Sequence, residues 1–241
     1  MQDRMTALTQ DTLPDLSMGF LSDTRLRAAG QGVLVTAGYD LARYDETLFE
    51  RLGVAPPDSL SRAVAKRRSE YLAGRAMARV AQTALGVDGT VHIGADRAPV
   101  WPEGQAGSIS HARARCACLL MPQGQGAPGV DVEAVAEGHA LDAILRATLD
   151  GAERDLIART PDPDLAATLC FSAKETLYKA LYPTVRAFFG FDSAQLTGLP
   201  EGGGLTLTLT KSLHPDLPRG RSFDIRYETD ASHVLTWVVH R

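Results

Sequence analysis

At 241 residues the chain has room for one large domain or two compact halves, and its 44% hydrophobic and 22% charged residues are ordinary for a globular protein. A formal net charge of −4 argues against general nucleic-acid binding, which draws on a broad basic surface, so any phosphate recognition must be local. The opening "MQDRMTALTQDTLPDL" lacks the apolar run of a leader, and no later stretch is long and apolar enough to span a bilayer, so the chain reads as a cytoplasmic protein.

In chain order, "GVLVTAGYD" from Gly32 to Asp40 reads as a buried strand and turn. Ser61 to Leu85 reads as a long helix, with Ala, Leu and Met on one side and six basic residues elsewhere, stopped by Gly86. The Pro-rich "ADRAPVWP" separates it from two short strands, "GSISH" and "ARCACLLM". Cys116 and Cys118 alternate in the second strand, so both side chains share one face. With Cys170 they make an odd count and no C-x-x-C pair, the pattern of buried reduced thiols.

"GQGAPG", from Gly124, matches G-x-G-x-x-G literally, but a dinucleotide fingerprint opens a helix and here Pro128 and Gly129 lead into another strand. A hairpin turn is the expectation, and the boundary between two halves, residues 1–125 and 126–241, is placed there. Beyond it come helices at Leu141 to Leu149 and Glu153 to Arg159. The chain ends on strands: "LTLTLT" and "FDIRYE" alternate strictly, and "HVLTWVV" follows. Helix and strand are mixed in each half without β-α-β alternation, which predicts an α+β fold of two subdomains.

Ser172 and Glu175 match a capping box, which requires a helix to begin at Ser172. A stronger start lies upstream, where Asp162 precedes Pro163 and Leu165, Leu169, Ala173, Leu177 and Leu181 recur every fourth residue. The helix therefore runs from Pro163 to Leu181, Ser172 is internal, and Glu175 shares a face with Lys179. That pair alone fits a surface ion pair.

A second acidic motif competes with that reading. In "GVDVEAV", Asp131 and Glu133 stand two apart on a strand and point the same way. Two carboxylates at contact distance repel by roughly 4 kcal/mol at a moderate effective dielectric, so if Glu175 joins them the cluster needs a cation. Oxygen-only ligands point to Mg²⁺, whose shell is usually completed by water and substrate phosphates. Phosphate-binding groups are available: Arg68, Arg75 and Arg79 lie at spacings of seven and four on the basic helix, Arg97 follows, and Ser110 and His111 end a strand.

Taken in order, "KRRSEYLAGRAMAR", "RAPVWPEGQAGSISHARARCACLL", "GVDVEAV" and "FSAKETLYKAL" resemble the Sfp-type 4'-phosphopantetheinyl transferases, most of all the branch of the enterobactin synthase component D proteins. The resemblance covers about half of the chain, from Arg62 to Pro183. It implies a pseudo-symmetric pair of α/β subdomains with the active site at their interface, in a monomer. It also implies transfer of phosphopantetheine from coenzyme A to a serine of an apo acyl or peptidyl carrier protein, releasing adenosine 3',5'-bisphosphate. The pathways served would be siderophore, non-ribosomal peptide, polyketide or fatty-acid synthesis.

By matching position, Asp131, Glu133 and Glu175 would hold Mg²⁺, with Asp131 also beside the substrate. Glu175 would be the base for the carrier serine and Lys179 would serve the leaving phosphate. Coenzyme A would meet Arg68, Arg75, Arg97, Ser110, His111 and Lys174, with His111 at its 3'-phosphate. Three departures stand out: Phe171 where one branch has tryptophan, Ala112 where a small polar residue is frequent, and Ala98 where another branch carries lysine. A Mg²⁺-dependent nucleotidyltransferase and a non-catalytic carrier-binding module are the competing readings. The first would not require the K-E-x-x-x-K helix, and the second would tolerate loss of Asp131.

Overall fold

The computed structural model describes residues 11–198 and 200–241. Most of the opening segment read for a leader lies outside the described residues. The chain divides into two compact units between Gly126 and Ala127.

The first unit contains α1 (Leu13–Ser17), β1 (Leu21–Ala29), β2 (Gly32–Tyr39), α2 (Thr47–Arg51), α3 (Ala65–Leu85), β3 (His92–Ile93), β4 (Pro99–Val100), β5 (Gln105–Ala112) and β6 (Arg115–Pro122). Its main sheet is antiparallel, in the order β1-β2-β6-β5. One face packs on α3, where Leu72, Ala76, Met77 and Val80 meet Val33, Val35, Cys116, Cys118 and Leu120. Gly74 allows the approach, because a Cβ there would sit 2.8 Å from Ile109 Cγ2. Helix α3 begins at Ala65 rather than Ser61, since Val64 is extended (φ −65°, ψ 154°). It ends as expected on Gly86, at φ 68°.

The second unit contains β7 (Ala127–Ala134), α4 (Gly138–Ala147), α5 (Gly151–Ile157), α6 (Pro163–Val185), β8 (Ala194–Leu196), β9 (Gly204–Leu209), β10 (Ser222–Thr229) and β11 (His233–His240). Its antiparallel sheet runs β7-β11-β10-β9-β8, with α6 on one face. The stripe of Leu169, Ala173, Leu177 and Leu181 is buried against Leu205, Leu207, Ile225 and Val234. Each unit thus lays one long helix on an antiparallel sheet, the mixed α+β architecture predicted.

Asp162 caps α6, accepting the Leu165 N–H at 3.0 Å, so Ser172 is internal. The helix continues past Leu181 through Pro183 to Val185, because a proline in the last turn forfeits only one helical hydrogen bond. A capping box does exist, at Asp150 and Glu153, and it starts α5 two residues before the expected Glu153. The expected hairpin at Gly124–Gly129 is not formed: β6 pairs with β2 and β5, whereas β7 pairs with β11, so the turn joins two different sheets. All three cysteines are buried and free. Among the described residues no helix is long and apolar enough to cross a membrane.

Candidate active site

In the second unit the strand period and the helix period bring the acidic motifs together. Asp131 and Glu133 project from the β7 face that meets α6, and their partners across the sheet are Thr236 and Val234 on β11. Facing them, Ser172, Glu175, Thr176 and Lys179 follow an i, i+3, i+4, i+7 pattern, one side of α6. Gly129 sets the separation, since a Cβ there would fall 2.1 Å from the Thr176 carbonyl oxygen. Any side chain at this position would push α6 off the strand.

The Lys179 ammonium donates to Asp131 Oδ1 at 2.6 Å and to the Val130 carbonyl at 3.1 Å. Ser172 Oγ donates to Asp131 Oδ2 at 2.8 Å. Glu133 and Glu175 are half-buried, with no hydrogen bond or ion pair among the described residues. Burial, then Asp131 and Glu175, push the Glu133 carboxyl up to about 7 against the pull of Lys179. Burial and Asp131 likewise hold Glu175 above the usual range, with Lys179 opposing. The surface ion pair of Glu175 with Lys179 does not form, because Lys179 is given to Asp131.

This cluster has more negative charge than one lysine balances, and its donors are all carboxylate oxygens, so in chemistry it suits a hard divalent cation. Among the described residues, no three acidic, histidine or cysteine side chains converge as they stand on one coordination shell. The Lys179 ammonium takes a cation's place on Asp131.

Lys174 departs from its expected place. Its side chain is only 3% exposed, with the ammonium bound to the Thr148 carbonyl at 2.9 Å and to Glu153 Oε2 at 2.8 Å. One residue before Glu175 means about 100° around the helix. That turn carries Lys174 into the core rather than toward a substrate. Beside Glu175 lies an apolar pocket of about 230 Å³ walled by Tyr178, Phe188, Phe189 and Phe191.

In the first unit a cleft of about 540 Å³ brings together Arg75, Arg97 and His111, with Arg67 and Glu70. Arg67 Nη1 is 3.3 Å from His111 Nε2, and Glu70 Oε2 is 3.9 Å from His111 Nδ1. Arg75 lies over the Tyr71 ring at 4.8 Å and donates to the Val91 and His92 carbonyls, fixed by the backbone beside it. Burial lowers the affinity of its guanidinium for the proton. Arg97 is exposed at the cleft, on a left-handed backbone of φ 67°.

Two expected members lie elsewhere. Arg68 pairs with Glu46, and the residue that reaches the cleft is its neighbour Arg67. Ser110 is buried on the opposite face of β5 from His111, because adjacent strand residues point opposite ways. Arg67 was legible in the sequence only as one of three consecutive basic residues. Which of them turns inward depends on how α3 sits on the sheet.

Carboxylates with a lysine in one unit, and arginines with a histidine in the other, are groups that phosphoryl chemistry uses to neutralise charge. The profile of the 4'-phosphopantetheinyl transferase N-terminal domain matches residues 56–121, and that of the 4'-phosphopantetheinyl transferase superfamily matches residues 127–236. The chain is 39% identical over 143 residues to enterobactin synthase component D of Salmonella typhi, an alignment covering 59% of each chain. It is 33% identical over 175 residues to 4'-phosphopantetheinyl transferase PptT of Mycobacterium tuberculosis, covering 69% of this chain and 75% of the relative. To 4'-phosphopantetheinyl transferase Svp of Streptomyces mobaraensis it is 35% identical over 156 residues, 62% of each. The chain spans 59% of the length of the enterobactin synthase relative it matches.

The chain belongs to the 4'-phosphopantetheinyl transferase superfamily.

Proposed function

We propose that this protein transfers 4'-phosphopantetheine from coenzyme A to a serine of an apo acyl or peptidyl carrier protein, releasing adenosine 3',5'-bisphosphate. The observation that carries the reading is the meeting of Asp131 and Glu133 on β7 with Glu175 and Lys179 on α6, in a chain of this family. Asp131, Glu133 and Glu175 would hold Mg²⁺, which when bound neutralises charge on the pyrophosphate oxygens.

The carrier serine Oγ attacks the phosphorus that bears pantetheine, and the P–O bond to the nucleotide breaks. Glu175 takes the serine proton; its raised proton affinity suits a general base. Lys179 offers its ammonium to the oxygen that leaves with the electron pair. Arg75, Arg97 and His111, joined by Arg67, would take the phosphates of coenzyme A in the first-unit cleft. Lys174 takes no part in this contact, because its ammonium is committed to Glu153. Carriers of siderophore, non-ribosomal peptide, polyketide and fatty-acid synthesis are the candidate acceptors.

The test is incubation with coenzyme A, Mg²⁺ and a panel of apo-carriers, read by intact mass. A carrier gaining one phosphopantetheine, with adenosine 3',5'-bisphosphate released, supports transfer. Carrier binding without mass gain across the panel would replace it with a binding module.

A further inference from the structure

Beneath Asp131 lies a row of hydroxyls. Ser172, Thr176 and Thr236 are each fully buried. Ser172 Oγ is 2.8 Å from both Asp131 Oδ2 and Thr236 Oγ1. Thr236 Oγ1 is 2.6 Å from Thr176 Oγ1, and Thr176 Oγ1 also reaches the Thr236 carbonyl at 3.2 Å. Each hydroxyl has one proton to give. Ser172 spends its proton on the carboxylate, so the Ser172–Thr236 contact is a hydrogen bond only if Thr236 donates. Thr236 then has none left, and Thr176 must donate to Thr236. Only this order turns all three side-chain contacts into hydrogen bonds, with the Thr236 carbonyl left as a second acceptor within reach of Thr176.

We infer that Thr176, Thr236 and Ser172 form a one-way hydrogen-bond chain that positions Asp131, fixing Oδ2 so that Oδ1 is presented to Lys179 and to a divalent cation. Aligned hydrogen bonds strengthen one another away from water, so the chain acts on Asp131 as a unit. It ties the carboxylate to both neighbours of its strand: α6 through Ser172 and Thr176, and β11 through Thr236, the residue opposite Asp131 in the sheet. None of the three hydroxyls is an expected ligand of substrate or metal, so they are positioning residues. The inference rests on the proposed role of Asp131 as a cation ligand.

The test is Mn²⁺ affinity of the full chain by calorimetry, with thermal unfolding of the metal-free protein alongside. Removing partners behind a metal ligand typically weakens binding by about 10–100-fold. Ser172→Ala, which removes the direct donor, should weaken Mn²⁺ binding by about tenfold or more on that scale. Thr236→Val interrupts the chain one step further out and strands no donor, because Thr176 can turn its proton to the carbonyl at position 236. Its loss should be about threefold, and that of Thr176→Val within about twofold, since the effect fades with distance along the chain. Thr236→Ser, which restores the hydroxyl, should return affinity to about the wild-type value.

Equal Mn²⁺ affinity in wild type, Ser172→Ala and Thr236→Val would overturn the inference, even if melting temperatures fall, because that is how merely structural hydroxyls behave. If Ser172→Ala does not fold, the comparison of Thr236→Val with Thr236→Ser decides alone. A graded Mn²⁺ series in a protein that modifies no carrier would sink the functional reading and leave the positioning chain standing. Wild-type protein that binds no Mn²⁺ would overturn the chain's role, whatever the carrier assay shows.

Discussion

The ammonium of Lys179 lies 2.6 Å from Oδ1 of Asp131 and joins the C-terminal half of α6 to the middle of β7. The same contact leaves Glu175, one turn earlier on the helix, with no ion-pair partner among the described residues. A lysine that the helical period pairs with one acid is thus held by another, and the consequences differ for each acid.

Asp131→Ala should abolish carrier modification and also destabilise the protein. From sequence alone, removing one acid from a repelling cluster is expected to leave the fold intact. In the structure Asp131 is the acceptor for buried Ser172 and for Lys179, so its loss removes a charged acceptor and leaves the serine hydroxyl only Thr236 Oγ1 to bond. A hydrogen bond to a charged group is worth about 1.5–3 kcal/mol. Lys179 adds less, because it is 27% exposed and water replaces part of its partner. Urea unfolding of the metal-free protein measures the loss, and unchanged stability would refute the contact's importance.

Glu175→Gln should behave in the opposite way. Transfer should fall by at least about a hundredfold, the scale of a lost general base. Stability should hold or rise, since an unpaired half-buried carboxylate becomes a neutral amide. Single-turnover transfer and a melting curve on the same preparation check both halves. Near-normal turnover would remove Glu175 from the chemical step.

Lys174→Met should act on the fold. Glu153 accepts from Lys174, from the Leu196 N–H and from its own capping partner Asp150, tying α5, α6 and β8 together. Breaking a buried ion pair on one side typically costs about 3–5 kcal/mol. Adding Glu153→Gln removes the stranded charge and should recover part of that loss. The folded double variant should keep a wild-type KM for coenzyme A; a KM raised about tenfold or more would return Lys174 to the substrate.

His111→Ala and Arg67→Ala should raise the KM for coenzyme A, each lowering kcat/KM by about tenfold to a hundredfold, the worth of a hydrogen bond to a charged group. Dephospho-coenzyme A should be used about as well as by wild type, because the lost contact is to the 3'-phosphate. Arg68→Ala should leave both values nearly unchanged, since Arg68 pairs with Glu46 outside the cleft. A structural histidine would lower both substrates together. The ratio of the two efficiencies separates these outcomes.

What the sequence determined by itself is whatever depends on near neighbours. Asp162-Pro163 and the four-residue stripe set where α6 begins and which side it buries, because caps and helical period are local. Alternation put Asp131 and Glu133 on one face, and likewise built β9, β10 and β11. Strand β1 is not legible in the sequence because its exposed, charged residues hide the alternation, and its pairing with β2 is what makes it a strand.

Only the tertiary structure decided which partner each charged group meets. Arg67 and Arg68 are equivalent as letters, yet about 100° of helix rotation sends one to His111 and the other to Glu46. Lys174, Glu175 and Lys179 belong to one motif, yet they meet a buried glutamate, an apolar pocket and Asp131 respectively. Ser110 and His111 are neighbours in the sequence, and the pleat of β5 turns them to opposite faces. The hydroxyl chain behind Asp131 joins residues up to 64 positions apart, and Gly129 sets the helix–strand distance that lets it close. Such contacts depend on packing across elements, where rotations of one residue and gaps of one methyl group decide the partner.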